Sequence, residues 1–159
     1  MVDKKAQGKK NREKGAAFEL KVRKDLEKKG WIVDKWSNNV SDYPEGNINL
    51  PPEEREDRKL IPAKRKFNPF KKVMGIGTGF PDFVIIHPLK NLKTLSGENY
   101  YKVYGVEAKS NGYLDPKERE KCKWLLENNI FARVVIAKKG KKRGEIIYED
   151  YNQKKGGVK

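Results

Sequence analysis

The apolar residues of this chain fall into short segments separated by charged sequence, and their spacing sets the fold. Phe18, Val22 and Leu26 recur every four residues. This spacing predicts an amphipathic helix over residues 14–29, with Gly30 as its stop. Apolar runs predict strands over residues 31–36, 83–86, 100–109, 132–137 and 145–151. A second helix is predicted to begin at residue 114 or 115, with Pro116 in its first turn, and strands alternating with helices favour an α/β fold.

The length of 159 residues predicts one domain with polar ends. Residues 1–12 are rich in lysine and nearly free of apolar side chains, which predicts a flexible basic arm. Residues 37–78 are rich in proline and in blocks of charge, which predicts a long insertion loop; a short helix over residues 51–60 is one option within it. Residues 87–99 are predicted to be a hairpin connection, and residues 152–159 a flexible tail.

Several protein classes are excluded by what the sequence lacks. No run of about 18 apolar residues is present, so no contact with the membrane interior is expected. No apolar segment follows the basic N terminus, so no secretory signal is expected. The single cysteine, Cys122, and the single histidine, His87, exclude an internal disulfide and a cysteine–histidine zinc site. A reducing, cytoplasmic location is expected.

Lysine and arginine outnumber aspartate and glutamate by 37 to 22, which gives a formal net charge of +15. Neutralisation of phosphates by such side chains supplies most non-specific affinity for nucleic acids, so DNA is the expected partner. A basic block in the insertion is interleaved with Phe67 and Phe70, which predicts contacts with phosphates and with exposed bases. The alternative is an ordinary solvated run of charge. The residues of this block are Lys64, Arg65, Lys66, Lys71 and Lys72.

Two acidic residues and a lysine stand at the ends of two predicted strands. Asp82 opens one apolar strand, and Glu107 and Lys109 end the next. Because strand side chains alternate, Glu107 and Lys109 project from one face, about 6–7 Å apart. Pairing of the strands brings Asp82 beside Glu107, where two carboxylates repel unless a cation joins them. Mg²⁺ prefers such oxygen ligands, so the pattern favours metal-assisted phosphodiester hydrolysis; a strand-end salt bridge is the alternative.

Short motifs occur along the chain in a familiar order. Residues 79–82 read Gly-Phe-Pro-Asp before an apolar strand, and residues 106–109 read Val-Glu-Ala-Lys. This order resembles the PD-(D/E)XK nuclease superfamily. Residues 15–19 (Gly-Ala-Ala-Phe-Glu) and 30–33 (Gly-Trp-Ile-Val) are similar to the start of archaeal Holliday-junction resolvases, and residues 107–125 are similar to the VRR-NUC branch. The resemblance implies a restriction-endonuclease-like core, in which helices flank a central mixed sheet.

The resemblance also implies a role for each matched position. Asp82 and Glu107 hold Mg²⁺ or Mn²⁺, helped by the backbone carbonyl of Ala108. Lys109 positions the attacking water and offsets charge in the transition state. Glu19 completes the metal shell directly or through water, and a solvated surface charge is its alternative.

Two further positions are expected to contact DNA. Ser110 follows Lys109, where it is either a phosphate ligand or a turn residue. Lys121 takes the helix position where the VRR-NUC branch commonly has Gln, and Glu118 is the alternative alignment. The implied activity is that of a Mg²⁺-dependent endodeoxyribonuclease that acts as a homodimer. Its substrate is a Holliday junction or other branched DNA, or DNA in recombination or repair; a non-catalytic basic DNA-binding module is the alternative.

Overall fold

The structure, a computed structural model, describes residues 4–42, 58–68, 72–75, 77 and 79–151. The helices within these residues are α1 (Lys4–Lys28) and α2 (Pro116–Glu127). The strands are β1 (Ile32–Lys35), β2 (Asn38–Val40), β3 (Leu60–Pro62), β4 (Lys66–Asn68), β5 (Val73–Gly75), β6 (Phe83–Lys93), β7 (Asn99–Ala108), β8 (Arg133–Lys139) and β9 (Ile146–Asp150).

Five of these strands form a mixed sheet in the order β1-β6-β7-β8-β9. β7 and β8 run parallel, and the other neighbouring strands pair antiparallel. Parallel neighbours need a long crossover rather than a tight turn, and α2 lies in the connection between β7 and β8. The predicted α/β class with a central mixed sheet is therefore confirmed.

Helix α1 covers one face of the sheet with its predicted apolar stripe. Phe18, Val22 and Leu26 are each at most 4% exposed. They belong to one core cluster with Val106 of β7 and Ala137 of β8. Burial of such side chains contributes about 1.5–3 kcal/mol each, which makes this stripe the main attachment of α1.

Helix α2 covers the opposite face. Cys122 and Leu125 are fully buried. They pack in a second cluster with Val134 and Ile136, which alternate along β8 with the residues that face α1. Burial raises the pKa of the Cys122 thiol, so this cysteine is a core residue and not an exposed reactive group.

Helix α1 begins earlier than the sequence indicated. It starts at Lys4, so the prediction of a flexible arm is wrong for residues 4–12; residues 1–3 lie outside the described ranges. The side chains of residues 9–17 are exposed. A helix turn without an apolar stripe leaves no periodic signal in the sequence, although lysine, arginine, glutamine and glutamate all favour helices.

The described parts of the insertion contain short strands, which corrects the prediction of a loop over residues 37–78. β2 pairs with β3, and β4 pairs with β5, in two small antiparallel ladders. Leu60 lies in β3 and not in a helix, and the rest of the helix considered there falls mainly on residues 51–57, outside the described ranges.

Two other boundaries differ from the sequence prediction. β6 continues to Lys93, so only residues 94–98 form the turn of the β6–β7 hairpin where a connection over 87–99 was expected. The predicted tail, residues 152–159, lies outside the described ranges.

In the part of the chain that the structure describes, no helix has both the length and the apolar content needed to cross a membrane.

Replacement of Leu26 by alanine is expected to lower the free energy of unfolding by about 2–5 kcal/mol, because it leaves a cavity under α1. Leu20 lies on the same helix but is 53% exposed. Leu20→Ala should therefore change the free energy by less than about 0.5 kcal/mol. Urea unfolding followed by tryptophan fluorescence measures both variants. Equal losses in the two would contradict this packing of α1.

Candidate active site

Asp82 and Glu107 lie side by side, and each carboxylate accepts a backbone hydrogen bond from the neighbouring strand segment. The β6–β7 register pairs Phe83 with Val106. Asp82, which precedes Phe83, therefore lies next to Glu107, which follows Val106. The N–H of Asp82 donates to Glu107 Oε2 at 3.1 Å. The N–H of Ala108 donates to Asp82 Oδ2 at 2.9 Å. The prediction that strand pairing brings these two carboxylates together is confirmed.

Both carboxyl groups are buried, with 9% of Asp82 and 4% of Glu107 exposed. Loss of solvent raises the pKa of both groups. The negative charge of Asp82 raises the pKa of Glu107 further, whereas the charge of Lys109 lowers it. Two buried acids that resist ionisation in this way form a site at which a cation would be stabilising.

Lys109 bridges two carboxylates from different elements. Its Nζ lies 3.3 Å from Glu107 Oε1 and 2.5 Å from Glu118 Oε1. Partial burial lowers the pKa of Lys109, but hydrogen bonds and charge from Glu118 and Glu107 outweigh this effect, so the pKa stays above its usual value. Lys109 therefore carries a full positive charge on the same face as Glu107, as strand alternation predicted.

Glu118 is held in place by the start of α2. The Asp115 side chain accepts a hydrogen bond from the N–H of Glu118 at 2.9 Å. Glu118 Oε2 in turn accepts from the N–H of Asp115 at 3.0 Å, which completes a capping box and leaves Oε1 for Lys109. Of the two helix positions left open by the sequence, Glu118 contacts Lys109, whereas the Nζ of Lys121 lies 5.7 Å from the centre of the Phe80 ring.

The carboxylate pair opens into a cleft of about 580 Å³ that both helices help to enclose. Gly15 and Phe18 line it from α1, and Lys117 lines it from α2. Most of the predicted site residues meet in this cleft. They are Glu19, Asp82, Glu107, Ala108, Lys109, Ser110 and Lys121.

Glu19 reaches the cleft from α1 and forms an ion pair with Lys35, at 3.8 Å. Its charge also raises the pKa of Asp82, although burial has the larger effect. Among the described residues, no cluster of three or more Asp, Glu, His or Cys side chains is arranged to hold one metal ion. The arrangement therefore offers two carboxylates in contact and a third, Glu19, in the wall.

The glycines before Asp82 serve close packing of the backbone. A side chain on Gly79 would collide with the carbonyl oxygens of Trp36 and Asn38, and one on Gly77 would collide with the carbonyl of Lys64. Gly79 also lines the cleft, beside Asn39 of the insertion. The insertion thus supplies part of the wall.

The residues predicted to bind DNA separate into groups. Ser110 and Lys121 line the cleft. The side chains of Lys66 and Lys71 lie outside the described residues. The exposed residues of the basic block that do not line the cleft are Lys64, Arg65 and Lys72. Pairing of the insertion's short strands therefore does not bring these three side chains to the carboxylate pair.

Sequence reasoning missed three cleft residues: Asn39, Asp115 and Lys117. The pattern Asp-Pro-Lys-Glu at residues 115–118 carries a usable signal, because an N-cap residue followed three positions later by Glu predicts a capping box. Asn39 has no such signal, since its position depends on pairing of β2 with β3 across the insertion.

Comparisons with models of protein families, with curated proteins and with solved structures find no match to this chain. The donor atoms, charges and shape of the site, together with the charge of the chain, are therefore the features that indicate a function.

In the metal-free protein, the free energy of unfolding is expected to fall as pH rises from about 5 to 8, because the folded state keeps protons that the unfolded chain has released. The raised pKa values of Asp82 and Glu107 set this direction. The fall should exceed about 2 kcal/mol, since the pKa of Glu107 is raised from 4.5 to about 8 and one pKa unit corresponds to about 1.4 kcal/mol.

Urea unfolding in EDTA at several pH values measures this dependence. Glu107→Gln should flatten most of the fall, because the buried group no longer titrates. Glu127→Gln replaces an exposed glutamate of α2 and is the matched control. An unchanged pH dependence in Glu107→Gln would contradict the burial of this pair.

Proposed function

We propose that this protein is a divalent-metal-dependent endonuclease that hydrolyses phosphodiester bonds of DNA. The observation that carries the proposal is the adjacent, buried pair of Asp82 and Glu107, each carboxylate accepting a backbone hydrogen bond, with Lys109 beside Glu107. Two buried carboxylates and an ammonium group at the floor of an open cleft are the parts that metal-assisted hydrolysis requires. The restriction-endonuclease-like core and membership of the PD-(D/E)XK superfamily, which the motifs resemble, belong to the same proposal.

The donor set fits Mg²⁺ or Mn²⁺. Mg²⁺ is commonly held by one or two carboxylates, with water and substrate phosphate as its remaining ligands. Among the described residues, none donates a hydrogen bond to Asp82 Oδ1, so this oxygen is available. Asp82 and Glu107 would hold the cation with the backbone carbonyl of Ala108, and Glu19 would act from the wall through water.

The chain's own groups divide the remaining tasks. A bound divalent cation would polarise the phosphate and lower the pKa of a water molecule. Lys109, held between Glu107 and Glu118, positions that water and offsets the negative charge that develops on the phosphate. Ser110 donates a hydrogen bond to a neighbouring phosphate oxygen. The proposed nucleophile is this water, which would attack the phosphorus directly without a covalent intermediate; the buried Cys122 is not placed to attack.

DNA is the proposed substrate because the chain is strongly basic and lysines stand in the wall of the cleft beside the carboxylate pair. The formal net charge is +15, and Lys117 and Lys121 line the cleft from α2. Phosphate neutralisation by such residues supplies binding that does not depend on base sequence. The proposed substrate is a Holliday junction or other branched DNA, or DNA in recombination or repair, and the proposed enzyme is a cytoplasmic homodimer.

The purified protein is expected to cut plasmid, single-stranded or four-way-junction DNA with Mg²⁺ or Mn²⁺ and not with EDTA. Asp82→Asn, Glu107→Gln and Lys109→Met should each lower the rate by about 100-fold or more, because each removes a charge that acts in the transition state. Glu127→Gln and Lys123→Met carry matched substitutions on the exposed face of α2 and should cut normally.

The preferred substrate distinguishes a junction resolvase from a general endonuclease. Salt-sensitive DNA binding that ignores metal, with no cleavage of any of the three substrates, would instead favour the non-catalytic DNA-binding module. Normal cutting by Asp82→Asn and Glu107→Gln would refute the assignment of the site.

Mg²⁺ or Mn²⁺ is also expected to raise the melting temperature of the protein without DNA, because an ion that binds only the folded state stabilises it. At a hundred times the dissociation constant, this stabilisation is about 2.7 kcal/mol. Asp82→Asn and Glu107→Gln should lose the shift, and Glu127→Gln should keep it. Differential scanning fluorimetry measures this metal effect separately from catalysis. An equal shift in all variants would place the ion elsewhere.

A further inference from the structure

A second groove, of about 420 Å³, lies next to the cleft and is strongly basic. Phe18 and Lys21 line it from α1, and residues 139–146, which comprise the β8–β9 turn and the strand residue on each side of it, line its other side. Glu145 is its acidic lining residue. Five of its lining side chains are cations, and this surface is called the basic groove. They are Lys21, Lys139, Lys141, Lys142 and Arg143.

The basic groove and the cleft share a wall. Phe18 lines both of them. The β8–β9 turn also leaves the sheet at the end where the cleft lies, because the N–H of Lys139 donates to the carbonyl of Ser110 at 3.2 Å. A polymer bound in the cleft can therefore continue past Phe18 into the groove without leaving the surface.

The cations of the basic groove have no acidic partner among the described residues. In the part of the chain that the structure describes, none of the five forms an ion pair with a carboxylate. Lys138, next to them in the sequence, does pair with Glu149 at 2.5 Å. Neighbouring like charges repel, and a polyanion is the kind of ligand that relieves this repulsion.

The turn that carries three of these cations is held in one shape. The N–H of Gly140 donates to the carbonyl of Glu145 at 2.9 Å, and Glu145 Oε2 accepts from the N–H of Lys142 at 3.1 Å. Gly144 has a φ of +85°, a conformation that other residues rarely adopt. The Glu145 carboxylate is thus engaged by the turn backbone, while the exposed side chains of Lys141, Lys142 and Arg143 remain available.

We propose that the basic groove binds the sugar-phosphate backbone of the DNA that flanks the phosphate in the cleft. This inference rests on the proposed function, which places the reacting phosphate beside Asp82 and Glu107. It assigns flanking contacts to the β8–β9 turn, whereas the basic block of the insertion lines neither cavity at the residues described there. Those residues are Lys64, Arg65 and Lys72.

The test measures the affinity of the full-length protein for a fluorescent DNA duplex in EDTA, between about 50 and 200 mM salt. The groove variant is Lys141→Gln/Lys142→Gln/Arg143→Gln. Its affinity should fall about tenfold or more, and the slope of log affinity against log salt should decrease by about one for each phosphate that the variant no longer neutralises. The variant Lys141→Arg/Lys142→Arg keeps the charge and should bind normally.

The matched control removes three exposed charges from the far part of the β6–β7 hairpin. It is Lys90→Gln/Lys93→Gln/Lys102→Gln, and its affinity should change by less than about threefold, because these lysines lie far along the strands from the cleft. Circular dichroism and melting temperature establish that all variants fold. Equal losses in the groove variant and the control would overturn the proposal.

A third variant separates the groove from the insertion. If Lys64→Gln/Arg65→Gln/Lys72→Gln loses affinity while the groove variant does not, the proposal is overturned. Cleavage by the wild type distinguishes this failure from failure of the proposed function. If the wild type cuts DNA but the groove variant binds DNA as tightly as the wild type, only the proposal for the groove is refuted. If the wild type never cuts DNA but the groove variant loses salt-sensitive binding, only the proposed nuclease activity is refuted.

Discussion

The antiparallel register of β6 and β7 places Asp82 against Glu107, and the site is built outward from this pairing. The same register buries Phe83 and Val106 together under α1. A slip of one residue would turn these apolar side chains to the other face and would separate the two carboxylates. Packing of the core and formation of the site are therefore a single constraint.

Polar groups at this end of the sheet form a connected chain of contacts. Asp82 is tied to Ala108, Glu107 to Lys109, and Lys109 to Glu118 in the capping box of α2. Buried carboxylates are unfavourable unless they are paired, and burial raises the pKa of both members of this pair. A pair of acids with perturbed pKa values in a cleft is typical of functional sites. The first turn of α2 contacts this site through Glu118, which accepts a hydrogen bond from Lys109.

Much of the site was predictable because its signals are local. Alternation of side chains at the end of β7 places Glu107 and Lys109 on one face. Asp82 directly precedes the apolar strand β6, which indicates that it lies at the same end of the sheet. The part of α1 before residue 14 was missed as helix because no apolar stripe marks it, and the strands of the insertion were missed because each is only three residues long. The identity of those strands depends on pairing with distant segments, which periodicity does not encode.

The sequence by itself determined the α/β class, the apolar stripe of α1, the shared face of Glu107 and Lys109 and the strong positive charge. Each follows from residue type and from spacing over a few positions. Tertiary structure alone decided that Glu118 holds Lys109, that Asn39 enters the cleft, and that Lys21 joins the β8–β9 turn from a distant part of the chain. These contacts depend on how the helices and the insertion pack against the sheet, because packing brings together side chains that no local pattern relates.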